Sequence, residues 1–583
     1  MRLVRTFQKR NLLLVLFVVT LAAVVLVIRV FYLMIPGSGK LASAAKELHE
    51  RERVIKAERG KIYDRNGEIL ADNMPVCTIS VIHNQITEPE QVIQVLCKEL
   101  QLSEAYVRKR VEKYSSIETI KTNVEKSIAD RIRAYELDGV MVDEDYRRFY
   151  PYGSLASKVL GFTGSDNQGI LGLEVKYDFW LKGENGKILT MATAHGVEIP
   201  DMAETLVTPV TGNSIKTSLD VTVQSYAEQI ATRVLEAKEA KNVSILVMNP
   251  QNGELYALVN VPEYDLNQPY ELTEIYTKGL TDAELTQEKK TELLNQMWRN
   301  SCISDTYEPG SAFKIITATA AFEHNALALN HSFYCPGYKI VADRRIRCHK
   351  TQGHGSQQFT EAIMNSCNPA FMEIGGRTGI ENMYETFRAL GLFQKTGIDL
   401  PGEASSIMHK AENVKEVELA TISFGQSFQI TPLQLMSAVS TVINGGTRIT
   451  PHFVTEIVNN AGVTVKTVDS IGESGVISSE TSETMRMVLE QVVAEGTGHN
   501  AYVEGFSIGG KTATSEKLPR RSGKYIASFI GFAPAKNPEV IAMVIIDEPT
   551  GLYYGGTIAA PVMGELFEVI LPYLGIDRSV ETE

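Results

Sequence analysis

Tyr307-Glu308-Pro309-Gly310-Ser311-Ala312-Phe313-Lys314 runs directly into the apolar, Ala/Thr-rich segment Ile315 to Phe322. Pro309-Gly310 marks a turn, and the segment behind it has the length and composition of a buried helix. The spacing predicts that Ser311 and Lys314 share one face of the first helical turn, where i and i+3 side chains are neighbours. A serine hydroxyl is a weak nucleophile until a base takes its proton. A lysine desolvated by an apolar helix has its pKa lowered toward the range in which it can be that base. The pair points to acyl transfer through a serine ester.

Spacing alone does not make such a pair catalytic, since Ser43-Ala44-Ala45-Lys46 repeats it in a polar segment. Two further clusters distinguish Ser311 and Lys314. Ser366-Cys367-Asn368 follows a loop rich in Gly, His and Gln, and Lys511-Thr512-Ala513-Thr514 follows Gly509-Gly510. A competing motif, Gly505-Phe506-Ser507-Ile508-Gly509, has the pattern of a nucleophile elbow. That elbow needs a helix behind it. Here a Lys-Thr strand and a polar loop follow, so the elbow reading is set aside.

The chain has 583 residues, room for about two to four domains. It is 44% hydrophobic and 22% charged, which allows a large core. A formal net charge of −13 makes nucleic acid an unsuitable partner. Arg2, Arg5, Lys9 and Arg10 precede an apolar run in which Leu12 to Ile28 has only Thr20 as a polar residue. With the flank past Arg29 to Met34, the run reaches the ~20 residues that a bilayer requires. Basic residues before it predict a cytoplasmic N-terminus and an extracytoplasmic remainder. The alternative is a cleaved signal peptide with Ala42-Ser43-Ala44 as the small-residue site.

Six cysteines are too few for a disulfide scaffold. Cys335 and Cys348 could close one loop. A zinc reading would take Cys335, Cys348, His349 and His354, in a spacing that fits no common zinc pattern. Disulfide, free thiols and zinc stay open at this point.

Asp64-Arg65-Asn66-Gly67 predicts a hairpin turn, and amphipathic helices are expected in the charged stretch from Glu88 to Asp145, one over Ser103 to Tyr114. Ser214 to Leu219 reads as a strand, with Asp220 capping a helix. Val243 to Met248, Glu254 to Val261, Ile526 to Phe532 and Val540 to Ile546 read as strands, and residues 559–574 as a closing helix. Strands at both ends around a helical middle predict an α+β domain whose terminal segments share one antiparallel sheet.

With these residues in hand, the chain resembles the class B penicillin-binding proteins, D,D-transpeptidases of peptidoglycan synthesis. Ser-x-x-Lys, a Ser-x-Asn triplet and Lys-Thr-Gly are that family's signature, together with the serine β-lactamases. Arg59-Gly60-Lys61-Ile62-Tyr63-Asp64-Arg65-Asn66-Gly67 and Gly172-Leu173-Glu174 with Tyr177 match the family's N-terminal pedestal. Tyr553-Tyr554-Gly555-Gly556 through Ala560-Pro561 matches its C-terminal end. Cys335 and Cys348 with Ser366-Cys367-Asn368 bring the chain nearest to the division and sporulation members.

The resemblance implies a cytoplasmic tail (1–11), a transmembrane helix (12–34), an elongated pedestal (35–205) and a transpeptidase domain (206–583) with an antiparallel sheet, flanking helices and a helical subdomain. It implies Ser311 as nucleophile, Lys314 as base, Ser366 as proton relay, and Asn368 as holder of Lys314 and the substrate amide. Lys511 would lend positive field. Thr512 and Thr514 would bind the terminal carboxylate, and the amides of Ser311 and Thr514 would form the oxyanion hole. Ala513 stands where the family has Gly. Implied partners are stem peptides or their lipid-linked precursor, β-lactams, the cytoplasmic membrane and a polytopic membrane glycosyltransferase of the SEDS type. No cofactor or metal is implied. A serine β-lactamase or a β-lactam-binding sensor would use the same motifs.

Overall fold

The computed structural model describes residues 2–34, 50–115, 117–191, 205–470 and 472–578. The Ala42-Ser43-Ala44 site and the Ser43/Lys46 pair lie outside the described residues. The chain forms two compact units and passes between them repeatedly. One comprises Met1–Glu58, Met74–Arg147 and Glu184–Val210, the other Arg59–Asn73, Arg148–Gly183 and Thr211–Glu583.

The first unit begins with a helix over Arg2–Met34. Within it, Lys9–Met34 is long and apolar enough to cross a membrane, and its side chains are exposed. Helices over Pro89–Leu100, Glu104–Val111 and Lys126–Arg133 pack Val92, Ile93, Leu96, Val107 and Ile132 against Cys77, Ile79 and Val81. The charged stretch is not wholly helical, because Glu118–Glu125 is a strand paired antiparallel to Val76–Val81. Its register slips beside Ile79, and Asn123 has a φ of 55°. Only Ile120 and Val124 point inward. An irregularity of this kind breaks the alternation by which a strand is recognised.

The second unit is built on a five-stranded antiparallel sheet. Its strands are β1 (Asn242–Met248), β2 (Leu255–Val261), β3 (Gly509–Glu516), β4 (Tyr525–Ala533) and β5 (Val540–Asp547), in the order β2-β1-β5-β4-β3. The helices that matter here are α1 (Val221–Lys238), α2 (Lys314–Glu323), α3 (Asn368–Ala389), α4 (Pro432–Ile443), α5 (Ser479–Ala494) and α6 (Ala560–Tyr573). Asp220 caps α1, its carboxylate accepting from the amides of Thr222 and Val223 at 3.0 and 3.1 Å.

Both faces of the sheet are buried. Val243, Ile245, Val544 and Phe529 meet Ala227 and Ile230 of α1 and Leu566 and Phe567 of α6. Leu246, Met543, Ile530 and Ala513 belong to the core that contains α2 and α4. Strands buried on both faces read as continuous apolar runs rather than alternating ones. The fold is therefore α+β, a helix-covered antiparallel sheet with a helical region on one side.

The 205/206 division expected from the sequence is not the division of the compact units. Arg59–Asn73 and Arg148–Gly183, which carry the pedestal motifs, pack with the sheet-bearing unit. Ile62–Tyr63 pairs in parallel with Ser214–Thr217, and the Asp64 carboxylate closes its turn by accepting from the amides of Asn66 and Glu68.

Candidate active site

Gly310–Phe313 is a 3-10 turn, and α2 begins at Lys314. The sequence predicted an α-helical turn here. Three residues per turn stacks i directly over i+3, so Ser311 Oγ lies 3.1 Å from Lys314 Nζ. The turn is clamped from outside. Gly310, at φ 56°, donates its amide to Gly425 O at 2.9 Å. The Glu308 carboxylate accepts from Ser427 N at 3.0 Å and from Arg520 at 2.5 Å. Ser311 keeps partial solvent access, whereas Lys314 has none.

Ser366, at φ 51°, and Cys367 precede α3, and Asn368 is its first residue. This places four oxygens around Lys314 Nζ. Ser366 O and Asn368 Oδ1 are at 2.7 Å, and the hydroxyls of Ser311 and Ser366 at 3.1 Å. The two short contacts go to groups that can only accept. A neutral amine has two N–H groups for them and a lone pair for one hydroxyl proton. Burial lowers the Lys314 pKa to about 8, although the neighbouring thiols of Cys367 and Cys348 oppose the shift. The site thus favours an amine that can accept a proton from a hydroxyl.

β3 runs beside the Gly310–Phe313 turn. A Cβ on Gly310 would approach Ser515 Oγ to 2.5 Å and Thr514 O to 3.3 Å. Lys511 and Ala513 are buried. Thr512 and Thr514 face the other way, as alternation along a strand requires. Thr512 Oγ1 donates to Thr497 Oγ1 at 3.4 Å, and Thr514 Oγ1 accepts from Gly555 N at 3.0 Å. That acceptance leaves the Thr514 proton available for an anion. Lys511 is pushed far below the ordinary lysine value, first by burial and then by the charge of Lys314. Its contacts, Thr512 O at 3.3 Å and Thr512 Oγ1 at 3.4 Å, are long. An anion entering beside Lys511 would restore its charge.

All eight residues singled out from the sequence therefore lie on the Gly310–Phe313 turn, at the start of α2, just before or at the start of α3, or on β3. Thr497 and Arg520 were not legible as site neighbours, since nothing local marks them. Cys335, Cys348 and Cys367 are buried free thiols, so Cys335 and Cys348 form no disulfide here. A cavity of about 790 Å³ is lined by Lys158, Asn260, Ser301, Lys517 and Asp547 and includes none of the three motifs. The chemistry, not the cavity size, locates the site.

A serine hydroxyl with a buried lysine against it and a lysine-bearing strand alongside make the kind of site that a serine acyltransferase uses. Residues 243–568 match the penicillin-binding protein transpeptidase domain, and residues 54–217 the penicillin-binding protein dimerisation domain. The chain is 40% identical to stage V sporulation protein D of Bacillus subtilis, over 99% of this chain and 88% of that one. It is 29% identical to the probable peptidoglycan D,D-transpeptidase PenA of Neisseria meningitidis, over 90% of this chain and 86% of the other. A peptidoglycan synthetase from Bifidobacterium adolescentis shares the fold at a TM-score of 0.73 and 22% identity, covering 92% of this chain and 98% of that structure. The chain belongs to the class B penicillin-binding proteins, the D,D-transpeptidases of peptidoglycan.

Proposed function

We propose that Ser311 Oγ attacks the carbonyl of the penultimate D-Ala of a stem peptide and that Lys314 takes the serine proton. The observation that carries this is Ser311 Oγ at 3.1 Å from Lys314 Nζ, beside two shorter contacts to Ser366 O and Asn368 Oδ1 that would take both N–H groups of the neutral amine and leave its lone pair for the serine proton. Ser366 passes a proton to the departing amine of the terminal D-Ala, so the peptide bond breaks as the ester forms. The amine of a second stem peptide then attacks the ester, forms the cross-link and returns Ser311 to the hydroxyl. Asn368 orients Lys314 and the substrate amide. Lys511, Thr512 and Thr514 hold the terminal carboxylate, and that carboxylate supplies the counter-charge that Lys511 otherwise lacks. The amides of Ser311 and Thr514 receive the developing oxyanion, the contribution usually worth most in acyl transfer.

The pedestal is residues 35–205 and the transpeptidase domain 206–583 in this reading. Kinship with the Bacillus subtilis sporulation protein over nearly the whole chain supports a role in spore-wall rather than septal synthesis. Leu12–Met34 anchors the chain with residues 1–11 in the cytoplasm, supported by the basic residues before the span. A polytopic glycosyltransferase of the SEDS type is the expected partner, on family kinship, and co-purification from membranes tests it.

The test of the site is labelling by a fluorescent penicillin, followed by intact-mass and peptide analysis. The label is expected on Ser311 as a stable ester. Ser311→Ala should abolish it with an unchanged melting curve. Label on Ser507 would defeat the assignment, and release of hydrolysed penicillin within seconds would favour a β-lactamase.

A further inference from the structure

Beside the second motif lies a cluster that the acyl-transfer chemistry does not use. The Sγ atoms of Cys335, Cys348 and Cys367 and a ring nitrogen of His354 all lie within 4.8 Å of one another. Cys335 ends the strand Ser332–Cys335, and Cys348 follows the hairpin formed by Tyr338–Val341 and Arg344–Arg347. His354 precedes the strand Gly355–Gln358, and Cys367 leads into α3. Four separate chain segments thus converge on one point.

The backbone is shaped for that convergence. Cys348 N donates to Gly337 O at 2.8 Å and His354 N to Cys335 O at 3.1 Å. A Cβ on Gly337 would lie 2.0 Å from Thr351 O, and one on Gly353 would lie 2.3 Å from Cys335 O. The crossing that brings the ligands together therefore depends on two glycines.

The excursion has almost no core of its own. Between Ser332 and Gln358 the fully buried residues are Phe333, Cys335, Gly337, Cys348 and Gln357. Val341 and Ile346 of the hairpin are only partly buried. A two-stranded hairpin without a hydrophobic face is marginal in water, and segments this poor in core are usually stapled by a disulfide or a metal.

Geometry favours the metal. Cys348 Sγ is 3.7 Å from His354 Nδ1. A tetrahedral zinc with bonds of ~2.3 Å to sulfur and ~2.05 Å to nitrogen sets that edge at about 3.6 Å, and each sulfur–sulfur edge at about 3.8 Å. Three soft thiolates and an imidazole suit zinc and not magnesium or calcium.

We propose that Cys335, Cys348, His354 and Cys367 bind one structural Zn²⁺, and that this ion fixes the Ser366-Cys367-Asn368 motif against Lys314. Each thiol that ligates gives its proton to solvent, and no redox step is involved. The coordination is closed, so the ion touches neither substrate nor the reacting atoms. It acts through position. Ser366 and Asn368, which both bond Lys314 Nζ, flank a residue tied to the ion. The expectation of no metal, and the alternative quartet containing His349, both give way to a set in which Cys367 is the fourth ligand. His349 Nδ1, 3.8 Å from Cys348 Sγ, is the nearest rival.

The test uses the full chain in detergent, purified with zinc salts and no chelator. Elemental analysis is expected to give one zinc per chain. Cobalt replacing zinc should give thiolate-to-cobalt charge-transfer absorption and the visible bands of a tetrahedral site. His354→Gln and Cys348→Ser should lose the metal, and His349→Gln should keep it. Stripping the zinc should slow acylation by fluorescent penicillin about 10- to 100-fold, the cost of a displaced catalytic group, with recovery on adding zinc back. Metal content does not depend on the role given to Ser311, whereas the acylation readout does, so the two readings fail separately. The proposal is overturned by wild-type chain that carries no zinc, by a disulfide joining any two of the three cysteines in protein as isolated, or by metal loss in His349→Gln with retention in His354→Gln. Should the variants fail to fold, the cobalt spectrum of the wild-type chain decides. Acylation unchanged by stripping would overturn the positioning role.

Discussion

Arg59 and Glu174, 115 residues apart in sequence, meet at 2.6 Å with neither side chain exposed. Arg148 Nε holds the other carboxylate oxygen at 2.6 Å, and Arg59 also reaches Asp178 at 2.7 Å. Burial pushes the Glu174 carboxyl up, but the guanidiniums of Arg148 and Arg59 outweigh it and hold the group below the ordinary range. Two of the family's pedestal motifs thus share one buried ionic cluster.

Glu174→Gln keeps the shape and removes the charge, leaving two buried guanidiniums short of a partner. The expected loss is about 3–5 kcal/mol, because breaking a buried pair strands its remaining charge. Since the folded-state carboxyl is depressed, its contribution is complete above the unfolded value and is lost as pH falls through the folded one. Calorimetry should show a large drop in Tm near neutrality that narrows in acid. An unchanged Tm would show that the cluster does not hold the fold.

Lys314 titrates at about 8, so the fraction able to accept the Ser311 proton rises through that pH. The second-order acylation rate by a β-lactam should climb with pH and level off roughly one unit above it. Stopped-flow fluorescence across roughly two units on either side checks this. A flat profile would remove Lys314 as base.

Ala513 is buried at 2% exposure, in the same apolar core as Ala312 and Phe313 of the Ser311 turn. Ala513→Gly removes about 0.8 kcal/mol of burial and adds about 0.5–1 kcal/mol of backbone entropy cost. A stability loss of about 1–2 kcal/mol is expected, with the acylation rate changed by less than about threefold. A rate drop beyond about tenfold would mean that the methyl supports the site, against the strand-beside-turn arrangement described above.

Gly555 lets its segment lie on β3, for a Cβ there would fall 2.2 Å from Ala513 O and 2.5 Å from Ser528 O. Neither backbone oxygen can yield cheaply. Gly555→Ala should break the bond from Gly555 N to Thr514 Oγ1, reorient the Thr514 hydroxyl and slow acylation about 10- to 100-fold. Gly551→Ala, in a left-handed position with open space around it, should cost only about 1–2 kcal/mol of strain and leave the rate alone. Equal rates for the two variants would dissociate Gly555 from the site.

The sheet was legible because its strands are buried on both faces, which writes them as apolar runs such as Val243 to Met248. The Asp220 cap and the Asp64 turn were legible because their chemistry is local. Glu308 stood in the sequence beside Ser311, but its partners Ser427 and Arg520 did not, since a tertiary pair leaves no periodic trace. The same holds for Cys367, which nothing local sets apart until Cys335, Cys348 and His354 are folded beside it. The interleaving of the two units was hidden for a related reason. Arg59–Asn73 differs from its flanks in contacts and not in composition.

That interleaving has a consequence for any attempt to isolate the enzyme. A gene cut at residue 206 would look like a clean excision of the catalytic half. It would in fact discard the strand Ile62–Tyr63 that pairs with Ser214–Thr217, and both sides of the Arg59–Glu174 cluster. The transpeptidase is therefore not a cassette that a single truncation can free. A minimal soluble version must carry its own upstream sequence, and recombination between relatives should tolerate crossovers downstream of Thr211 only when residues 59–73 and 148–183 travel with them.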